Sequence, residues 1–281
     1  MEMLEELLGI EVKDGRALKG GSIASQAGGG ERVALDNDYY CIQPSGNGMF
    51  RITDKKTGLE YSFAEKGCSL KYDRASGRTF LIPDGDYAQA GNILVADEEL
   101  LAAMGQYFGV EKLEAGPLIG YSFGRNEETG IEIMIPPGMK GRMAHMLFQS
   151  KEDVEAYESL VQTYRDKYPN LVQSDAMAKF YAALEIEGLC QRTETGILYM
   201  NAGSIGYADD GNPGKNWWLD FRETSEENYE AIMEMLSDIR KNGKDIDDLG
   251  EWTARLEEKE IAYVIPELEM DLSSSQWIDC H

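Results

Sequence analysis

With 281 residues, 42% hydrophobic and 28% charged, the chain is too apolar for a disordered acidic tail and too polar for a membrane protein. Its formal net charge of −24 sets the surface against nucleic-acid phosphate and anionic lipid. The acidity is uneven, with 15 Lys and Arg against 22 Asp and Glu in residues 1–150, a net of −7, and 12 against 29 in residues 151–281, a net of −17.

This length, at which single cores begin to divide, predicts two subdomains: 1–149, mainly antiparallel β with two short helices, and 150–281, acidic and α+β. The fold class expected is α+β, with a β meander and hairpins in the N-terminal half and helices packed on a smaller antiparallel sheet in the C-terminal half. Residues 1–9 have Leu4, Leu7 and Leu8 on one helical face, and 18–31 read as a glycine- and serine-rich loop. From Tyr39 to Ile82 runs of β-formers alternate with the turn clusters SGNG, DKKTG, EKG and DRASG, which predicts a meander with Phe50, Ile52, Leu59, Tyr61 and Phe63 inward. Asp97 caps a predicted helix to residue 108, closed by Gly109, and LIGYSFG with GIEIMIP forms a hairpin around NEETG.

In the second half, Ser150 and Asp153 open a helix carrying Val154, Tyr157, Val161, Tyr164 and Tyr168. A helix over about 175–186 precedes a hairpin at RTETG. Thr224 and Glu227 make a capping box for a helix over 225–241, with Tyr229, Ile232, Met233, Leu236 and Ile239 as its apolar stripe. A last helix near 246–259 carries Leu249, Trp252 and Leu256, and IAYVI is a late strand. Thr57-Gly58, Thr129-Gly130 and Thr195-Gly196 each close a charged turn and open a strand, an echo that either a duplicated unit or ordinary hairpin chemistry explains.

Catalytic signatures are incomplete. Gly120-Tyr121-Ser122-Phe123-Gly124 matches the pattern of a nucleophile elbow, but a turn and a strand follow it where an elbow requires a helix. Only His145 and His281 are available as a histidine base. Two histidines, and Cys41, Cys68, Cys190 and Cys280 without close spacing, suit neither a zinc site nor a disulfide framework. Asp36-Asn37-Asp38, Asp84-Gly85-Asp86 and Asp209-Asp210-Gly211-Asn212 lack the spacing of a calcium loop and read as turns. No cofactor or metal is expected.

The segment Ile205 to Phe221 is the most distinctive, reading as a strand, an acidic turn, and a strand with Trp217 and Leu219 on one side and Trp218 and Asp220 on the other. Aromatic rings beside carboxylates make an anchor for a basic partner, so Asp209, Asp210, Trp217, Trp218, Asp220, Glu226 and Glu227 are the candidate partner-binding residues. An acidic D-D-G-x-x-G turn after a strand, an aromatic strand ending in Asp220 and a capped amphipathic helix resemble the SUKH superfamily of immunity proteins over roughly 175–241. The resemblance implies an α+β fold and toxin neutralisation by direct binding.

The expectation is a cytoplasmic, non-enzymatic binding protein, an acidic immunity-type or inhibitory partner of a basic protein, binding neither nucleic acid nor membrane directly. The alternatives are a hydrolase using Ser122 or a carboxylate pair, and an acidic mimic of nucleic acid.

Overall fold

The computed structural model describes residues 12–13, 16–17, 22–27, 32–84, 93–137, 144–201, 203–221, 226–242 and 247–266. The helix expected over 1–9, most of the loop over 18–31, Gly85-Asp86, the cap Thr224, Cys280 and His281 lie outside them. The fold is α+β, and the chain divides into two compact units, one of residues 1–125, 130–139 and 145–154, the other of 126–129, 140–144 and 155–281.

In the first unit β1 (Val12–Lys13) and β2 (Arg16–Ala17) form a short hairpin, and α1 (Ile23–Gln26) is one helical turn within the stretch read as loop. The meander follows as β3 (Leu35–Asp36), β4 (Tyr40–Gly46), β5 (Met49–Asp54) and β6 (Glu60–Ala64), antiparallel in chain order. Asn47 and Gly48 join β4 to β5 with φ of 52° and 71°, the left-handed pair that a tight two-residue turn requires. Period-two alternation then buries Phe50, Ile52, Tyr61 and Phe63, with Leu59 only partly buried.

A second sheet comprises β7 (Cys68–Asp73), β8 (Arg78–Pro83) and β9 (Leu94–Val95), with β10 (Gly116–Pro117) parallel to β7 at its edge. Helix α2 (Glu98–Phe108) starts where the sequence places it, because Asp97 accepts from the Leu100 N–H, and it stops at Gly109 in the left-handed conformation. Its Leu100, Met104, Tyr107 and Phe108 join Phe50, Ile52 and Phe63 in one core, where Phe50 meets Phe108 edge-on at 5.2 Å. Strands β11 (Ser122–Arg125), β12 (Glu132–Ile135) and β13 (His145–Leu147) make a third sheet, and Phe80 stacks on its Phe123 at 5.4 Å.

The second unit contains most of α3 (Lys151–Lys167), which opens with the expected reciprocal cap between Ser150 and Asp153, then α4 (Asp175–Glu187), α5 (Glu226–Asn242) and α6 (Leu249–Glu258). Its sheet is β14 (Cys190–Arg192), β15 (Gly196–Asn201), β16 (Ser204–Asp209), β17 (Trp217–Phe221) and β18 (Tyr263–Val264), antiparallel in chain order. Every residue of the central β16 is buried.

The register sets Cys190, Tyr199, Gly206 and Trp218 in one row on one face. Tyr164 and Tyr181 from α3 and α4 cover that face, with Tyr164 at hydrogen-bond distance of Cys190 Sγ and Tyr181 edge-on to Tyr199. On α5 the buried stripe is Ile232, Met235, Leu236 and Ile239, while Met233 and Tyr229 are half-buried. That corrects the sequence reading by about one position, a small rotation of the helix toward Met235. The Thr-Gly echo separates into two kinds: Gly58 and Gly130 are left-handed turn glycines, whereas Gly196 is required because a β-carbon there would lie 2.1 Å from the Ala208 carbonyl oxygen.

Candidate functional site

The acidic turn after β16 is held by its own carboxylates. Asp209, 5% exposed, accepts from the N–H groups of Gly211 and Asn212 at 3.0 and 2.7 Å, and its own N–H donates to Asn216 Oδ1. Burial alone would raise this carboxyl; the donors from Gly211 and Asn212, with Thr195 and Tyr207, outweigh it and hold Asp209 below the usual carboxylate range. Asp210 accepts from the N–H groups of Asn170 and Leu171 at 2.9 and 2.8 Å and from the Asn170 side chain, tying the turn to the middle of the α3–α4 connection. Both aspartates singled out for a partner are therefore engaged within the fold.

What the turn shapes is a cleft of about 410 Å³, lined by Tyr207, Lys215, Asp247, Asp248 and Leu249. Asn212 caps the short 3-10 turn Pro213–Lys215, which brings Lys215 to the rim. Tyr207 is fixed from below: Thr195 lies 2.7 Å from its hydroxyl, which donates to Asp209 at 3.3 Å. Burial and the Asp209 and Asp247 carboxylates raise the Tyr207 hydroxyl pKa against the opposing Thr195 and Thr193 hydrogen bonds, so it stays protonated at neutral pH. Trp217, half-buried beside Tyr207, donates its indole N–H to the Asp247 carbonyl at 2.7 Å and so holds the start of α6 against this face. Asp248 caps α6 through the Gly250 N–H, and Asp247 stands half-buried next to it. The cleft thus has an aromatic edge and two carboxylates against one ammonium.

Trp218 and Asp220 lie on the opposite face, where the Trp218 indole N–H donates to the Asp220 carboxylate and the ring leans on Tyr199 at 5.2 Å. The two tryptophans point apart, as the alternation predicts, and both are half-buried. Glu226 is the first residue of α5, and Glu227 is exposed one position on. The seven candidate residues do not converge on one spot; the sheet separates Asp209 and Trp217 from Trp218 and Asp220. Tyr207, Lys215, Asp247 and Asp248 went unnoticed, and their sequence signal was a second Asp-Asp pair at a helix cap.

A second polar cluster is internal. Arg192 grips Glu185 through Nε at 2.9 Å and Nη2 at 2.8 Å, and Glu185 also accepts from the Tyr164 hydroxyl. The Glu185 hydrogen bond raises the Arg192 pKa, while burial, then Cys190 and Glu185, raise that of Tyr164. Each group is spent on another. Glu187, at the end of α4, accepts from the Ala144 N–H at 3.0 Å, and burial pushes its carboxyl up to about 7.

The Ser122 reading meets a geometric obstacle. Ser122 pairs with Ile135, whereas His145 pairs with Met134, and neighbouring residues of β12 point to opposite faces. Serine and histidine are on opposite sides of one sheet, and Gly120-Tyr121-Ser122-Phe123-Gly124 runs into a strand, as the sequence indicates. His145 is buried, its Nε2 is without a hydrogen bond, and desolvation holds its pKa below the ordinary value.

Among the described residues no three His, Cys, Asp or Glu side chains are grouped to hold a metal ion, and no helix is long and apolar enough to cross a membrane. Asp36 pairs with Lys55, Asn37 caps the N–H groups of Tyr39 and Tyr40, and Asp84 accepts from Ser69, all ordinary turn chemistry. Comparison with protein-family models, with curated proteins and with solved structures returns no match for this chain.

Proposed function

We infer that the protein acts by binding, and that the cleft between the acidic turn and α6 receives a cationic side chain from a basic protein partner, as an inhibitory or immunity-type protein would. The observation that carries this reading is a cleft in which Asp247, Asp248 and the Tyr207 ring surround a single Lys215. A guanidinium entering there meets two carboxylates and an aromatic edge, the combination that favours arginine at interfaces. The surrounding charge of −17 over residues 151–281 steers such a partner toward the site and repels phosphate.

The test is recovery of partners from native lysate with the tagged protein, washed through a salt ladder, in parallel with Asp247→Asn/Asp248→Asn. Asparagine keeps the cap on α6, so the fold is retained. A basic protein held by the native chain and lost from the variant at lower salt supports the reading; equal retention by both removes the cleft from it.

A further inference from the structure

The first unit has a cleft of its own, about 330 Å³, between β3 and the C-terminal turn of α2, lined by Val33–Asn37, Gln106 and Tyr107. Four observations give it chemistry. Among the described residues β3 is an edge strand, hydrogen-bonded to β4 alone. Because the Asn37 N–H donates to the Tyr40 carbonyl, the antiparallel alternation makes Asp36 and Cys41 a non-bonded pair and turns the main-chain N–H and C=O of Asp36 away from β4. Tyr107 is 5% exposed, and its hydroxyl is buried with no hydrogen-bond partner. The Gln106 side chain is exposed at the rim, and no hydrogen bond among the described residues engages its amide.

A free donor and acceptor on one extended residue are complementary to a peptide group, which offers both in return. A buried hydroxyl without a partner is unfavourable until something supplies one. The lining carries a carboxylate at its mouth: Asp36 is 70% exposed despite its ion pair with Lys55. We propose that this cleft binds an extended, cationic peptide segment of a partner protein, added as a strand along the outer edge of β3, with Tyr107 and Gln106 completing its hydrogen bonds. This site is in the first unit and does not depend on the acidic cleft of the second.

The experiment is an amide NMR titration of the full chain with acetyl-Val-Lys-Val-amide, alongside the same peptide N-methylated at every backbone nitrogen. Saturable shifts confined to Val33–Asn37, Gln106 and Tyr107, abolished by N-methylation, are the expected result. No shift by about 10 mM peptide, shifts centred elsewhere, or equal binding of the N-methylated peptide would each overturn the proposal. Tyr107→Phe separates binding from folding, because deleting an unpaired hydroxyl leaves the free protein at least as stable while weakening the peptide by about fivefold. A Tyr107→Phe protein that binds the peptide unchanged removes the tyrosine from the site.

Discussion

The six-membered ring of Trp218 lies directly over the backbone of Gly206, so that a β-carbon at residue 206 would fall 2.2 Å from the indole Cε3. The absence of a side chain on the central strand is what lets the indole lie flat, reach Tyr199 and donate to Asp220. Gly206→Ala is therefore expected to destabilise the protein by about 1–3 kcal/mol through overpacking, read as a lower urea midpoint. The same substitution in a Trp218→Ala background should be nearly neutral, since the clash partner is gone.

Glu185 serves Arg192 and Tyr164 together, with 12% of its side chain exposed. Removing it leaves a guanidinium and a buried hydroxyl without their acceptor, so Glu185→Ala should reduce unfolding free energy by about 3 kcal/mol. Arg192→Lys should also be destabilising, because an ammonium does not reproduce the two-pronged grip. Chemical denaturation of the single and double variants would show a coupling well above zero; additive losses would mean that the three groups do not act as one network.

Glu187 ionises near pH 7 in the fold against an ordinary value of 4.5. The folded state thus binds more protons than the unfolded state between those values, and stability falls as pH rises from about 4.5 through 7. Glu187→Gln remains neutral and keeps an oxygen for the Ala144 N–H, so it should be more stable than the native chain by about 2 kcal/mol at pH 8 and indistinguishable from it at pH 4. Thermal unfolding across that range checks both the sign and the pH window.

Local chemistry was the legible part of this chain. Asp97 and Gly109 bracket α2 through contacts within three or four residues, and Asn47-Gly48 makes its turn without help from elsewhere. Alternation also assigned Trp217 and Trp218 to opposite faces. What alternation does not encode is the partner waiting on each face: Trp217 meets Asp247 thirty residues on, and Asp210 is tied to Asn170 forty residues back. The acidic turn shows why, since a carboxylate that caps its own turn looks in sequence like one offered to solvent. The cleft arises where a turn and a helix cap, distant in the chain, are brought together by β16 and β17.

As proposed above, Asp247 and Asp248 form a local cation site and not merely a share of the general acidity. Fluorescence anisotropy of a labelled tetra-arginine peptide should show binding to the native protein that weakens about tenfold in Asp247→Asn/Asp248→Asn, as loss of contacts worth about 1.4 kcal/mol requires. Glu155→Gln/Glu158→Gln, which removes the same charge from exposed positions on α3, should leave the affinity within about twofold. Equal weakening by the two variants would reduce the cleft to part of a diffuse acidic surface and remove the cation site.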